Sequence, residues 1–164
     1  AHLEPTRAAE LSEQLLGRLR YSNAERKQVT HLVRHPLPPL DTLDTSASLR
    51  RWLRRIGPEQ HPRACLLERA HRLALAAPEA ALTALDEFQA RADAELARKP
   101  PLTLSALAID GQQLIAQAGY RPGREIGLAL EALLEHVLDD PAHNEPAHLL
   151  ARARELREEQ TRTG

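Results

Sequence analysis

Leu49-Arg50-Arg51-Trp52-Leu53-Arg54-Arg55-Ile56-Gly57 is the stretch that decides the fold class of this 164-residue chain. At roughly 100° per residue, Leu49, Trp52, Leu53 and Ile56 share one side of a helix. Arg50, Arg51, Arg54 and Arg55 fall within an arc of about 140° opposite them. Such a segment buries its aliphatic side and leaves a strip of guanidinium groups. Gly57 is suited to the C-cap, and Pro58 cannot continue the hydrogen-bond ladder, so the helix spans about Ser46 to Ile56.

The helical period recurs on both sides of this segment. Upstream, a helix is expected over about Thr6 to Leu19. A second opens at Ser22-Asn23-Ala24-Glu25, a capping-box pattern, carries Val29, Leu32 and Val33 as its stripe and stops before Pro36. Downstream, helices are expected over about Arg63 to Ala76, with Leu66, Ala70 and Leu73 on one side, and over about Glu79 to Ala97, with Leu82, Leu85, Phe88, Ala92 and Leu96 inward. Lys99-Pro100-Pro101 then interrupts the pattern. Beyond it follow a short helix near Leu104, one from about Gly111 to Gln117, and one from Pro122 to Leu138 whose stripe is Ile126, Leu130, Leu133 and Val137. A last helix starts near Asn144, carries Pro146 in its first turn and frays after Leu156. No segment alternates in the β sense. The expectation is an all-α, multi-helix bundle of about seven or eight helices without a β-sheet, in two small subdomains, residues 1–98 and 99–164.

Composition narrows the function classes. Leu and Ala dominate, and Trp52, Phe88, Tyr21 and Tyr120 are the only aromatic residues besides histidine, so the core is aliphatic. Neither a membrane span nor a signal peptide is present, which predicts a cytoplasmic location. The single cysteine, Cys65, cannot form an intrachain disulfide and reads as a buried thiol. The formal charge of −1 conceals an asymmetry. Residues 1 to 75 hold 13 Lys plus Arg against 8 acids, a net of +5, whereas residues 76 to 164 hold 9 against 15, a net of −6. The first half is the better candidate for contact with phosphate.

No self-sufficient catalytic constellation is found. Nucleophile motifs of the serine and cysteine type, a phosphate-cradling glycine loop and a zinc-protease helix are all missing. His31 and His35 have i, i+4 spacing, but no carboxylate completes a metal site. His61, His71, His136, His143 and His148 show no ligand spacing, and Asp139-Asp140 before Pro141 reads as a helix end. No metal ligand and no catalytic residue is therefore assigned.

Two features point to nucleic acid instead. Arginine forks match phosphate oxygens, so the strip of Arg50, Arg51, Arg54 and Arg55 is suited to backbone docking, with Arg26 and Lys27 as helpers. The alternative is a solvated face paired with acids of neighbouring helices. The second feature is Gly119-Tyr120-Arg121-Pro122-Gly123-Arg124, between two helices. Gly119 and Gly123 permit close backbone approach, Pro122 starts a helix whose first amides face an anion, and Arg121 and Arg124 add charge. Here too a structural reading stands beside the functional one: Gly119 as a C-cap and Gly127 as a close helix crossing.

Several stretches together resemble the C-terminal body and tail of bacterial class II tRNA nucleotidyltransferases, the CCA-adding enzymes and their poly(A) polymerase relatives. Leu19-Arg20-Tyr21-Ser22-Asn23-Ala24-Glu25-Arg26, Leu32-Val33-Arg34-His35 and Leu49 to Gly57 look like body helices. Leu107-Ala108-Ile109-Asp110-Gly111-Gln112-Gln113-Leu114-Ile115, followed by Gly119 to Gly123 and Ile126-Gly127, looks like the tail motif. Gln113 stands where the family usually has Asp, Arg124 where a second proline is common, and His71 where Asp often follows Ala. The resemblance implies that residues 1–98 are body and 99–164 tail. It further implies that the chain binds tRNA or another structured RNA, not DNA and not a membrane, and that self-association is open to it. Nucleotidyl transfer, with its Mg2+ and CTP or ATP, would belong to a head whose motifs are not in this sequence, so no cofactor is expected here. The competing expectation is a helical protein-interaction or oligomerisation module.

Overall fold

A computed structural model describes residues 4–163 and contains eight α-helices and no strand among them: α1 Pro5–Arg18, α2 Asn23–Arg34, α3 Ser46–Ile56, α4 His61–Ala74, α5 Glu79–Ala97, α6 Gly111–Ala118, α7 Arg124–Asp139 and α8 Pro146–Thr163. Short 3-10 turns at Leu40–Leu43, Pro58–Gln60, Leu104–Ala106 and Pro141–His143 join some of them. None of these helices is long and apolar enough to cross a membrane. The chain forms two compact units, 1–97 and 98–164.

In the first unit α1 and α2 pack side by side. The capping box expected at Ser22 is present: its hydroxyl accepts from the Glu25 amide at 3.3 Å, and Glu25 accepts from the Ser22 amide at 2.9 Å. A carboxylate clamps the pair, because Glu13 on α1 accepts from Thr30 Oγ1 at 2.9 Å and from Arg26 Nη2 at 2.5 Å. These two hydrogen bonds, Thr30's first, hold the Glu13 carboxyl below its ordinary range. α2 is tied to α3 by His31, whose Nε2 lies 2.7 Å from the carbonyl of Ile56. That carbonyl belongs to the last turn of α3 and lacks an intrahelical donor, so the ring N–H supplies one.

The core of this unit is the apolar side of α3 set against α5. Leu49, Trp52, Leu53 and Ile56 are buried together with Leu85, Phe88 and Ala92, and the Trp52 and Phe88 rings meet edge to face at 5.3 Å. Each fully buried side chain of this size contributes about 1.5 to 3 kcal/mol by leaving water. Arg91 of α5 donates to the carbonyls of Leu43 and Asp44, both at 2.9 Å, and fixes the turn before α3.

The side of α4 that carries Leu66, Ala70 and Leu73 faces solvent. His61, Ala64 and Cys65 are its buried residues, whereas Leu66 is 66 % and Leu73 59 % exposed. The inward side is chosen by small residues that allow close approach to α5 and by His61, whose Nε2 lies 2.8 Å from Asp93 of that helix. Val29 of α2 is also more exposed than its place in the expected stripe implies.

In the second unit Asp110 caps α6 reciprocally with Gln113, each side chain bonding the other's amide at 2.9 Å. The core comprises Ile109, Leu114, Leu133, Leu134, Val137, Leu138 and Leu149. Asn144 fastens the segment before α6, accepting from the Ala108 amide at 2.8 Å and donating to the Ala106 carbonyl at 2.9 Å. Two boundaries differ from the sequence expectation. α7 begins at Arg124, which leaves Pro122 in the preceding loop. α8 continues to Thr163 rather than fraying after Leu156, supported in its later turns by Arg152, which pairs with Glu155 at 2.8 Å and Glu159 at 3.3 Å.

Candidate nucleic-acid interface

The four arginines of α3 do not share one environment. Arg50, expected among the phosphate contacts, is buried, and its Nε donates to Glu95 of α5 at 2.5 Å, which makes it part of a core ion pair. On the helical wheel Arg50 and Arg55 are symmetric flanks of the arginine arc, each about 110° from the centre of the apolar side. α5 covers the flank that carries Arg50. Arg51 and Arg54 are partly exposed, and Arg55 is exposed.

Arg55 lies at a cleft of about 240 Å³ that is also lined by Arg34, His35, Pro38, Trp52 and Ile56. Here the end of α2 and the exposed flank of α3 bring Arg34, His35 and Arg55 together. Arg34 is not among the residues that the sequence singles out, yet its spacing is readable: Lys27, His31 and Arg34 stand at i, i+4 and i+7 on α2 and hence on one face. The His35 ring is held below its ordinary basicity, first by burial and then by the charges of His31, Arg34 and Arg55. Lys27, His31 and Arg34 also line a larger groove of about 550 Å³ with Glu10, Glu13 and Thr30 of both helices. Arg26, expected beside Lys27 as a helper, is instead half-buried in its pair with Glu13, whereas Lys27 is exposed.

In the second unit the loop after α6 divides into a structural half and an open half. Gly119 is the left-handed C-cap of α6, with φ 73°, and a Cβ there would collide with the Arg157 guanidinium. Tyr120 is buried and its hydroxyl donates to the Ala153 carbonyl at 2.9 Å. Gly119 is therefore explained by capping and packing. Gly123 is different. It forms the N-cap of α7 with φ 141°, no side chain caps this end, and a Cβ would meet nothing within 4 Å. Arg121, Gly123 and Arg124 are all exposed, so two cations flank a helix start that no side chain caps, the kind of terminus that suits an anion. Gly127 has the same openness and does not mark a close crossing; the tight approach is at Gly111, whose Cβ would lie 2.9 Å from Ile126.

A further cationic surface is not among those expected from the sequence. Arg154, Arg157 and Arg162 of α8 border an open cleft of about 830 Å³ beside Gln117 and Gly119. Arg154 donates to the Gln117 carbonyl at 3.0 Å and Arg157 to the Ala118 carbonyl at 3.0 Å, supplying donors that the last carbonyls of α6 lack within the helix.

The groups capable of covalent chemistry are quiet. Burial first, and then the Asp93 charge, pushes the Cys65 thiol up to about 11, which removes the thiolate at neutral pH. His61 is fully engaged, with Nδ1 2.8 Å from the Pro58 carbonyl and Nε2 2.8 Å from Asp93. His31 has its Nε2 committed to Ile56, although its ring lies only 4.8 Å from that of His35. His136, His143 and His148, by contrast, come together in space, which their spacing in the sequence does not suggest.

No curated protein and no solved structure matches the chain. A family model described as tRNA nucleotidyltransferase domain 2 matches residues 6–153, nearly the whole sequence, and the chain belongs to that family.

Proposed function

We propose that this chain is the RNA-holding part of a tRNA nucleotidyltransferase-like protein, gripping the phosphate backbone of tRNA or a similar structured RNA so that its 3′ end reaches a nucleotidyl-transferring head that these residues do not supply. CCA addition or poly(A) addition, with Mg2+ and CTP or ATP, belongs in this reading to that head. The observation that carries the proposal is the convergence of Arg34 and Arg55 at one cleft, in a chain whose family is defined by tRNA nucleotidyltransferases. Guanidinium forks there, with Arg51, Arg54 and Lys27 beside them, contact phosphates from the first unit. The exposed Arg121-Pro122-Gly123-Arg124 loop adds a second contact. Phosphate contacts of this kind position an RNA without reading its sequence, which suits a domain that holds many tRNAs alike.

A second reading is favoured by a specific observation. Leu11 and Leu15 of α1 and Leu19 just after it stand four residues apart and are 40 to 59 % exposed, and Leu66 and Leu73 are exposed on α4. Apolar side chains left in water at helical spacing suit a protein partner. Sedimentation velocity of the chain with and without tRNA separates the two. A complex with tRNA at low salt supports RNA holding, and self-association without any tRNA shift supports the interaction module.

A further inference from the structure

The last turn of α7, the turn Pro141–His143 and the first turn of α8 bring three histidines to one place. His136 and His148 have their Nε2 atoms 3.0 Å apart. The His143 ring stacks on both, with centroids 4.3 Å from His136 and 4.5 Å from His148. One nitrogen from each ring lies within 4.8 Å of the others.

We propose that His136, His143 and His148 form a binding site for a divalent transition-metal ion of the zinc class. Three imidazoles are a common ligand set for such an ion, which zinc binds at about 2.0 to 2.1 Å. Tetrahedral geometry at that radius separates the nitrogens by about 3.3 to 3.4 Å; the His136–His148 pair, at 3.0 Å, is already near that spacing, and the His143 nitrogen, within 4.8 Å, has a short distance to close. His143 Nδ1 is buried and has no hydrogen-bond partner among the described residues, and a buried imidazole nitrogen without a partner gains from an ion. The rings lie nearly parallel, within 7°. Parallel rings do not aim their lone pairs at one point, so binding turns the rings about their side-chain torsions. His136 and His143 are only partly buried and His148 is exposed, which leaves room for that rotation.

The surroundings fit the same ligand. Asp140 Oδ2 lies 3.9 Å from His143 Nε2, within reach of the carboxylate-to-histidine bond that commonly orients a metal-bound ring. Arg152, one turn after His148 on α8, is paired with Glu155 and Glu159, so it opposes a dication weakly. With three protein ligands the fourth position is left to water or to a partner's group.

The test uses the full chain without an affinity tag, stripped with chelator, and ZnCl2 as the probe. Calorimetric titration should give one Zn2+ per chain, and the melting temperature should rise with zinc because the ion binds the folded form. Co2+ in place of Zn2+ should produce the intense visible bands of four-coordination. H148A, at an exposed position, should weaken binding by about 100-fold or more, and H143A should do the same. Absence of binding heat together with an unmoved melting temperature would overturn the proposal. So would one-to-one binding that H148A and H143A retain, which would put the ion elsewhere. H136A is read only with circular dichroism showing an intact helix content; H148A decides the case should it misfold. No RNA is present in the titration, so its outcome is independent of the function proposed above.

Discussion

Arg50 on α3 and Glu95 on α5 form an ion pair at 2.5 Å with both side chains at least nine-tenths buried. The pair joins the two helices that build the core of the first unit, and it turns one arginine of an apparently basic strip into a structural residue. Removing one partner of a buried ion pair costs about 3 to 5 kcal/mol. Glu95→Gln is therefore expected to lower the urea midpoint by that equivalent. A change below about 1 kcal/mol would contradict the assignment of Arg50 to the core.

The Arg50 case shows where the sequence stops being informative. The amphipathic pattern predicts the span of α3, Ser46–Ile56, and of α5, Glu79–Ala97, because in both the apolar residues keep one face over the whole length. It cannot tell which flank of α3 a neighbour covers, since Arg50 and Arg55 are equivalent on the wheel. Cross-helix placement decides that. The same limit applies to α4, where small residues and His61 face inward and the leucines do not, against the usual weight given to leucine. The histidine cluster depends on the turn at Pro141–His143, which folds α8 back beside the end of α7; the three residues sit on three different elements, so no helical period links them. Pro122 has the residue type of a helix start, but Gly123 at φ 141° makes the N-cap one residue later. The capping box at Ser22, being local, is fully legible.

Tyr120 fastens α8 in the second unit through its hydroxyl. Tyr120→Phe keeps the ring and removes the bond to the Ala153 carbonyl, for an expected loss of about 1 kcal/mol. Urea unfolding of the variant checks this, and a stability equal to the parent's would show that the bond contributes nothing net.

Acidity should destabilise the fold from the histidine range downward. His35 and His136 both have basicities lowered from the ordinary value of 6.5, chiefly by burial. As pH falls through 6.5 the unfolded chain takes up protons that the folded chain resists, so the unfolded state is favoured. Stability is thus at its full value above 6.5 and declines as pH falls toward the lowered folded values. Glu13 and Glu25, lowered from 4.5, extend the decline at still lower pH. Urea midpoints at about pH 8, 6.5 and 5.5 should fall in that order, with a shallower fall in H136Q; a midpoint that rises on acidification would contradict the reading of both rings.

Whether Arg34 and Arg55 grip phosphate is best tested by the salt dependence of tRNA binding. The logarithm of affinity should fall linearly with the logarithm of salt, and the double variant R34A/R55A should reduce the slope by about 2, roughly one for each phosphate that is no longer neutralised. An unchanged slope in a variant that folds normally would contradict the assignment of this cleft to RNA.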